Sequence, residues 1–120
     1  MRYLCLIYND EKQLNARSKS EAEAFTGEYF AFTEAIRQSG HYLGGEALQP
    51  VRTATTVRVR NGKLATTDGP FAETKEQLGG FYLINARDLN GAIQVASKIP
   101  SARVGSVEVR PIREFEHQSD

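Results

Sequence analysis

The chain has one cysteine, no tryptophan and no excess of either charge: fifteen basic side chains stand against fifteen acidic ones. Cys5 alone cannot close an intramolecular disulfide. It lies in an apolar, strand-like run, which predicts a small buried side chain rather than a nucleophile. Balanced charge argues against a nucleic-acid partner, which usually shows as a basic excess or stripe. Long apolar runs are also missing. The longest, LCLIY, is far too short to span a bilayer, and the amino terminus lacks the charged and then apolar pattern of a secretory signal. A soluble cytoplasmic protein with no membrane role is therefore expected. Metal chemistry fails on ligand type, since there is no cysteine pair, no HExxH and no close pair of histidines for zinc. No glycine-rich phosphate loop lies between a strand and a helix start, so no nicotinamide, flavin or nucleotide cofactor is expected. At 120 residues the chain fits one domain that can bury a core without disulfide or metal staples.

What is present is a clear order of elements. RYLCLIY at 2–8 predicts a strand that ends at the turn pair Asn9-Asp10. Residues 10–20 are polar and weakly patterned. Ser18 and Ser20, with Glu21 and Glu23 behind them, start a helix with acids in its first turn. Phe25, Tyr29, Phe32 and Ile36 then share one helical face, and Gly40 stops the helix. His41-Tyr42-Leu43 begins a second strand that Gly44-Gly45 is expected to break, through a bulge or a close backbone approach. ATTVRVR at 54–60, Asn61-Gly62 and KLATT form a hairpin. Its Arg58 and Arg60, with Arg52 beside it, are expected to keep an exposed strand soluble and unpaired. GFYLINA at 80–86 predicts another strand. Asp88 caps a short helix in which Leu89, Ala92, Ile93 and Ala96 share a face, ending before Pro100. VGSVEVRPI at 104–112 closes the domain, which runs over 1–113, and residues 114–120 form a solvated tail. The order β-α-β, hairpin insertion, β-α-β is an α+β, ferredoxin-like plan with both helices on one face of one sheet. The other face is left bare, and a second copy of the chain is the economical cover, so a homodimer is expected.

Several stretches carry a family likeness: Met1-Arg2-Tyr3-Leu4 with Ile7-Tyr8, GGEALQP at 44–50, DGPFAETKEQLGGFYLI from 68, and GSVEVRPI at 105–112. Together they resemble the DGPF branch of the YCII-related (YciI-like) family, over residues 1 to about 113. The resemblance implies a ferredoxin-like domain pairing into a dimeric α/β barrel. It also implies genomic association with sigma factors, hence a possible sigma-factor partner. The wider family includes a dehydrochlorinase and members with a histidine–aspartate pair in the pocket. In this chain those positions fall on Tyr29 and Ile99, and neither His41 nor His117 replaces them, so that chemistry does not carry over.

The motif DGPFAETKE at 68–76 has a structural and a functional reading. Structurally, Gly69 takes positive φ, Pro70 fixes its own, Asp68 accepts a backbone amide and Phe71 folds down as an apolar plug. Functionally, a turn needs Asp-Gly-Pro but not the acids and lysine behind it. A carboxylate beside an ammonium at a cleft mouth can stay ionised and act as a base. Asp68 and Glu73 are the candidate catalytic bases. Tyr29, His41, Glu46, Phe71 and Lys75 are the candidate ligand-binding residues around an apolar pocket, and the one metal option left by ligand type is an oxygen-only magnesium or calcium site from Asp68, Glu73 and Glu46. Two functions fit. One is a small cofactor-free enzyme of lyase, isomerase or oxygenase type acting on a small organic acid or aromatic. The other is a non-enzymatic ligand-sensing or partner-binding module.

Overall fold

The structure, a computed structural model, describes residues 1–115. The expected tail beyond them, with His117, lies outside the described residues. Four strands form one antiparallel sheet: β1 (Arg2–Asn9), β2 (Tyr42–Ala47), β5 (Gln77–Asn85) and β6 (Ser106–Pro111), in the order β2-β5-β1-β6. Between β2 and β5 the chain forms β3 (Thr55–Arg60) and β4 (Lys63–Asp68), which pair with each other as a separate two-stranded sheet. Helices α1 (Glu11–Asn15), α2 (Lys19–Gln38) and α3 (Leu89–Ala96) complete an α+β arrangement compatible with a ferredoxin-like fold. Among the described residues no helix is long and apolar enough to cross a membrane.

Strand alternation fixes where the core sits. Tyr3, Cys5 and Ile7 of β1, with Tyr82 and Ile84 of β5, face Phe32 and Ile36 of α2 and Ala92, Val95 and Ala96 of α3. Leu4 and Leu6 of β1 and Phe81 and Leu83 of β5 point the other way and remain half-buried, with Leu4 opposite Leu83 and Leu6 opposite Phe81. Both helices therefore load one face, and the second face carries an apolar stripe.

α2 begins where its caps dictate. The Ser18 hydroxyl accepts from the Glu21 amide at 3.1 Å, and the Glu21 carboxylate accepts from the Ser18 amide at 3.0 Å, a reciprocal capping box. These bonds hold the Glu21 carboxyl below its ordinary range. The helix ends at Gly40, whose φ of 82° suits a left-handed cap.

Four expectations need correction. α1 occupies part of the stretch read as weakly patterned, where no helix was expected, because Asp10 caps it by accepting from the Lys12 amide at 3.0 Å. β2 bears the expected irregularity, a register shift between Tyr42 and Gly44, but is not broken there and continues to Ala47. Gly45 serves packing: a Cβ there would stand 2.8 Å from the Phe81 carbonyl and from the Tyr82 ring. The buried face of α3 is Ala92, Val95 and Ala96, while Leu89 and Ile93 stay largely exposed. Val95 and Ala96, with Ile99 beyond the helix end, make a second set at helical spacing, and it wins because it meets the sheet. Phe71 does not fold down, since its side chain is 79% exposed.

Cys5 is fully buried, and burial pushes its thiol up from 9.0 to about 11. The folded state thus keeps its proton where the unfolded chain loses it. The contribution to stability is complete below about pH 9 and lost as pH rises towards 11. Native protein at pH 8 is expected to leave Cys5 unmodified by a thiol-specific disulfide reagent, while denatured protein reacts with one equivalent; rapid native reaction would refute the buried placement.

Candidate functional site

Two cavities lie on opposite sides of the four-stranded sheet. The first, about 430 Å³, opens between the amino-terminal half of α2 and strands β1, β2 and β5. Phe25 and Tyr29 line it from the inward face of α2, and Phe30 at the rim is 73% exposed. The glycines Gly45, Gly79 and Gly80 remove side chains from the floor beneath them.

The hydroxyl-bearing side chains Tyr29, Thr33 and Tyr82 line this space, each with a hydroxyl partner. The Tyr29 and Ser101 hydroxyls lie 2.5 Å apart, and the Thr33 and Tyr82 hydroxyls 2.6 Å apart. Thr33 also donates to the Tyr29 carbonyl at 2.9 Å, so its lone pairs are free to accept from Tyr82. Burial raises both phenols above their ordinary range, against the opposing pull of Ser101 on Tyr29 and of Thr33 on Tyr82. They are neutral donors at physiological pH. Asn9 also lines the cavity, with its amide nitrogen towards Gly79; its Oδ1 is buried away from the space, beside Gly105, without a hydrogen-bond partner among the described residues. Unpaired buried acceptors are uncommon and costly.

Glu46 and Phe81 reach the wall of this cavity from paired positions on β2 and β5. Their neighbours Gly45 and Tyr82 turn towards the core, so alternation sends the Glu46 and Phe81 side chains to the opposite face. No formally charged side chain of the described lining therefore turns into the cavity. Arg17 stacks 4.1 Å from the centre of the Phe25 ring and Arg37 4.4 Å from that of Tyr42, but neither guanidinium belongs to the lining.

The second cavity, about 740 Å³, lies between the 48–56 connection and the 70–74 loop, beside Tyr8 and Leu78. Phe71 and Glu73 line it. The turn before them is held by backbone: Gly69, at φ 104°, donates its amide to the Ala54 carbonyl at 2.7 Å, and the Thr56 hydroxyl donates to the Gly69 carbonyl at 2.9 Å. Asp68 is exposed at the end of β4, and among the described residues its carboxylate takes no part in that turn. Lys75 is exposed beyond it, and Glu76 accepts from the Ser106 hydroxyl at 2.8 Å.

The expected cluster is thus divided. Tyr29 and the backbone of Glu46 belong to the first cavity, Phe71 and Glu73 to the second, and Asp68 and Lys75 to neither lining. His41 stands at the end of α2, its Nδ1 2.6 Å from the Ser39 hydroxyl, also outside both. Among the described residues, no three His, Cys, Asp or Glu side chains are grouped to hold a metal ion. Asn9, Thr33, Tyr82 and Ser101 were not singled out by sequence, because nothing in their spacing marks them. Since the Asp68 and Glu73 carboxylates are exposed and hold no part of the fold, Asp68→Asn and Glu73→Gln are each expected to unfold within about 0.5 kcal/mol of the parent in denaturant titration. A loss above about 1 kcal/mol from either would show that the motif's charges hold the loop.

The family profile described as the YCII-related domain matches residues 1–116. An uncharacterized protein from Rhizobium meliloti (strain 1021) is 40% identical over 114 residues, which span 93% of this chain and 92% of that protein.

Proposed function

The chain belongs to the YCII-related domain family, and we propose that it is a small-molecule binding domain that takes an uncharged, largely apolar compound beneath α2. The observation that carries this reading is the composition of the first cavity's wall. It offers aromatic rings and two paired phenols, with no charge turned inward. A small organic acid would enter without a counter-charge, and burying an unpaired carboxylate is far costlier than burying a hydroxyl. A flat neutral molecule can cover the rings. Asp68 and Glu73 lie off this cavity and are not given a part in its chemistry.

The same reading takes the protein as a homodimer, with the four-stranded sheet as a ferredoxin-like unit, β3–β4 as its insertion, and two sheets facing across a dimeric α/β barrel. Support comes from the stripe of Leu4, Leu6, Phe81 and Leu83, half-buried with no helix on it. A free, buried Cys5 suits a reducing cytoplasm.

The test is a thermal-shift screen of neutral, anionic and cationic fragments against the parent and Gly79→Leu. A Cβ at Gly79 would have only the Asn9 amide nitrogen, 3.9 Å away, as a neighbour, so the first carbon fits and the rest occupies the cavity. Neutral aromatic fragments are expected to raise the parent's Tm and leave the folded variant's unchanged. Equal shifts in both proteins, or shifts only from anions, would defeat the proposal.

A further inference from the structure

The β3–β4 hairpin is the one segment of the described sheet structure that pairs only with itself, and its chemistry is two-sided. Register places Val57 opposite Thr66 and Val59 opposite Leu64 on one face, and Arg58 opposite Ala65 and Arg60 opposite Lys63 on the other. Val57, Val59 and Leu64 are 60%, 59% and 70% exposed. An isolated two-stranded hairpin is marginal in water and gains its stability from packing one face on something. Among the described residues nothing covers this one. The arm also spreads the molecule: the radius of gyration is 16.6 Å, against about 14 Å for a compact chain of this length.

Charge points to the occupant. The hairpin, residues 55–68, holds the cations Arg58, Arg60 and Lys63 against the single acid Asp68, a balance of +2. The whole chain is neutral, so the remainder carries −2. Each copy is thus a basic arm on an acidic body, which makes it electrostatically complementary to another copy of itself. The arm's root is also continuous with the uncovered sheet face, because Thr55 and Thr56 share the second cavity with Tyr8 and Leu78.

From these observations we propose that the hairpin is a clasp that lays Val57, Val59 and Leu64 on the body of a second copy of this chain. This rests on the homodimer reading above and adds a site to it. Under two-fold symmetry both arms are used, so each dimer carries two clasps.

Leu64→Trp tests the clasp, since the chain has no other tryptophan and the substitution keeps the face apolar. The indole is expected to emit to the blue of free indole in the dimer and to move to the free-indole wavelength on dilution. The dilution midpoint should match the dimer-to-monomer transition seen by light scattering. In parallel, Val59→Lys/Leu64→Lys is expected to raise the dimer Kd at least tenfold with an unchanged far-ultraviolet circular dichroism spectrum, and added salt should weaken the parent dimer. A dimer of unchanged Kd in the double variant, with the indole already solvent-like, would overturn the clasp and leave the homodimer standing. A parent that stays monomeric at every accessible concentration would overturn both. A monomer whose indole shifts only on vesicles of anionic phosphatidylglycerol would assign the arm to membranes and overturn the clasp as well.

Discussion

Gly105→Ala is expected to destabilise the protein by about 3 kcal/mol, in the upper range for adding a single methyl group. A Cβ at this position would fall 2.1 Å from the Tyr8 carbonyl oxygen and 3.0 Å from Asn9 Oδ1. Both contacts lie at the end of β1, where Tyr8 is already paired with Ser106 on β6, so the backbone cannot yield without opening the ladder. Because Asn9 lines the cavity beneath α2, the displacement would also reach the ligand site. Gly79→Ala is the control, with nothing nearer its Cβ than 3.9 Å. Denaturant titration of both should show a large shift in midpoint for the first and little for the second; equal midpoints would contradict the packing at the β1–β6 junction.

Phe32→Ala is expected to cost about 3–5 kcal/mol, and Phe30→Ala, two residues away on the same helix, within about 0.5 kcal/mol. Phe32 is 7% exposed and its ring meets Tyr82 edge-on at 5.2 Å, whereas Phe30 is 73% exposed at the cavity rim. Truncating Phe32 leaves a void beside the Tyr82 ring, and the sheet below cannot collapse into it. Truncating Phe30 removes one wall of an open cavity and no core. The two effects should therefore separate: loss of stability in the first variant, and loss of fragment binding at near-parental stability in the second. Comparable unfolding midpoints for the two would mean that α2 presents a different face to the sheet.

The order of elements was legible because its signals are local. Phe25, Tyr29, Phe32 and Ile36 repeat at helical spacing, and Asn61-Gly62, with φ of 53° and 74°, is the turn that a two-residue hairpin requires. The close approach expected at Gly44-Gly45 is there, at Gly45 against Phe81 and Tyr82, but the break is not, because a glycine kept for packing has the same letter as one that ends a strand. On α3, alanines at 92 and 96 fit either of two helical faces, and only contact with the sheet chooses between them.

The site was less legible. DGPFAETKE drew attention through its density of chemistry-bearing residues, yet it frames the second cavity, and Phe71 stands out from the core. Tyr29 was identified, but its partner Ser101 lies 72 residues away, and Thr33 and Tyr82 are 49 apart. Hydroxyls and one amide brought together from α2, β1, β5 and the turn after α3 leave no pattern along the chain. Their meeting is a property of the fold.

The cavity beneath α2 is the centre of the account, and a chemical-shift titration of isotopically labelled protein with a neutral aromatic fragment tests it most directly. The account predicts concentration-dependent shifts gathered on Asn9, Tyr29, Thr33, Gly79 and Tyr82, with those of the 70–76 loop unmoved. Shifts gathered instead on Phe71 to Thr74, with the cavity residues silent, would contradict it and return the functional site to the motif.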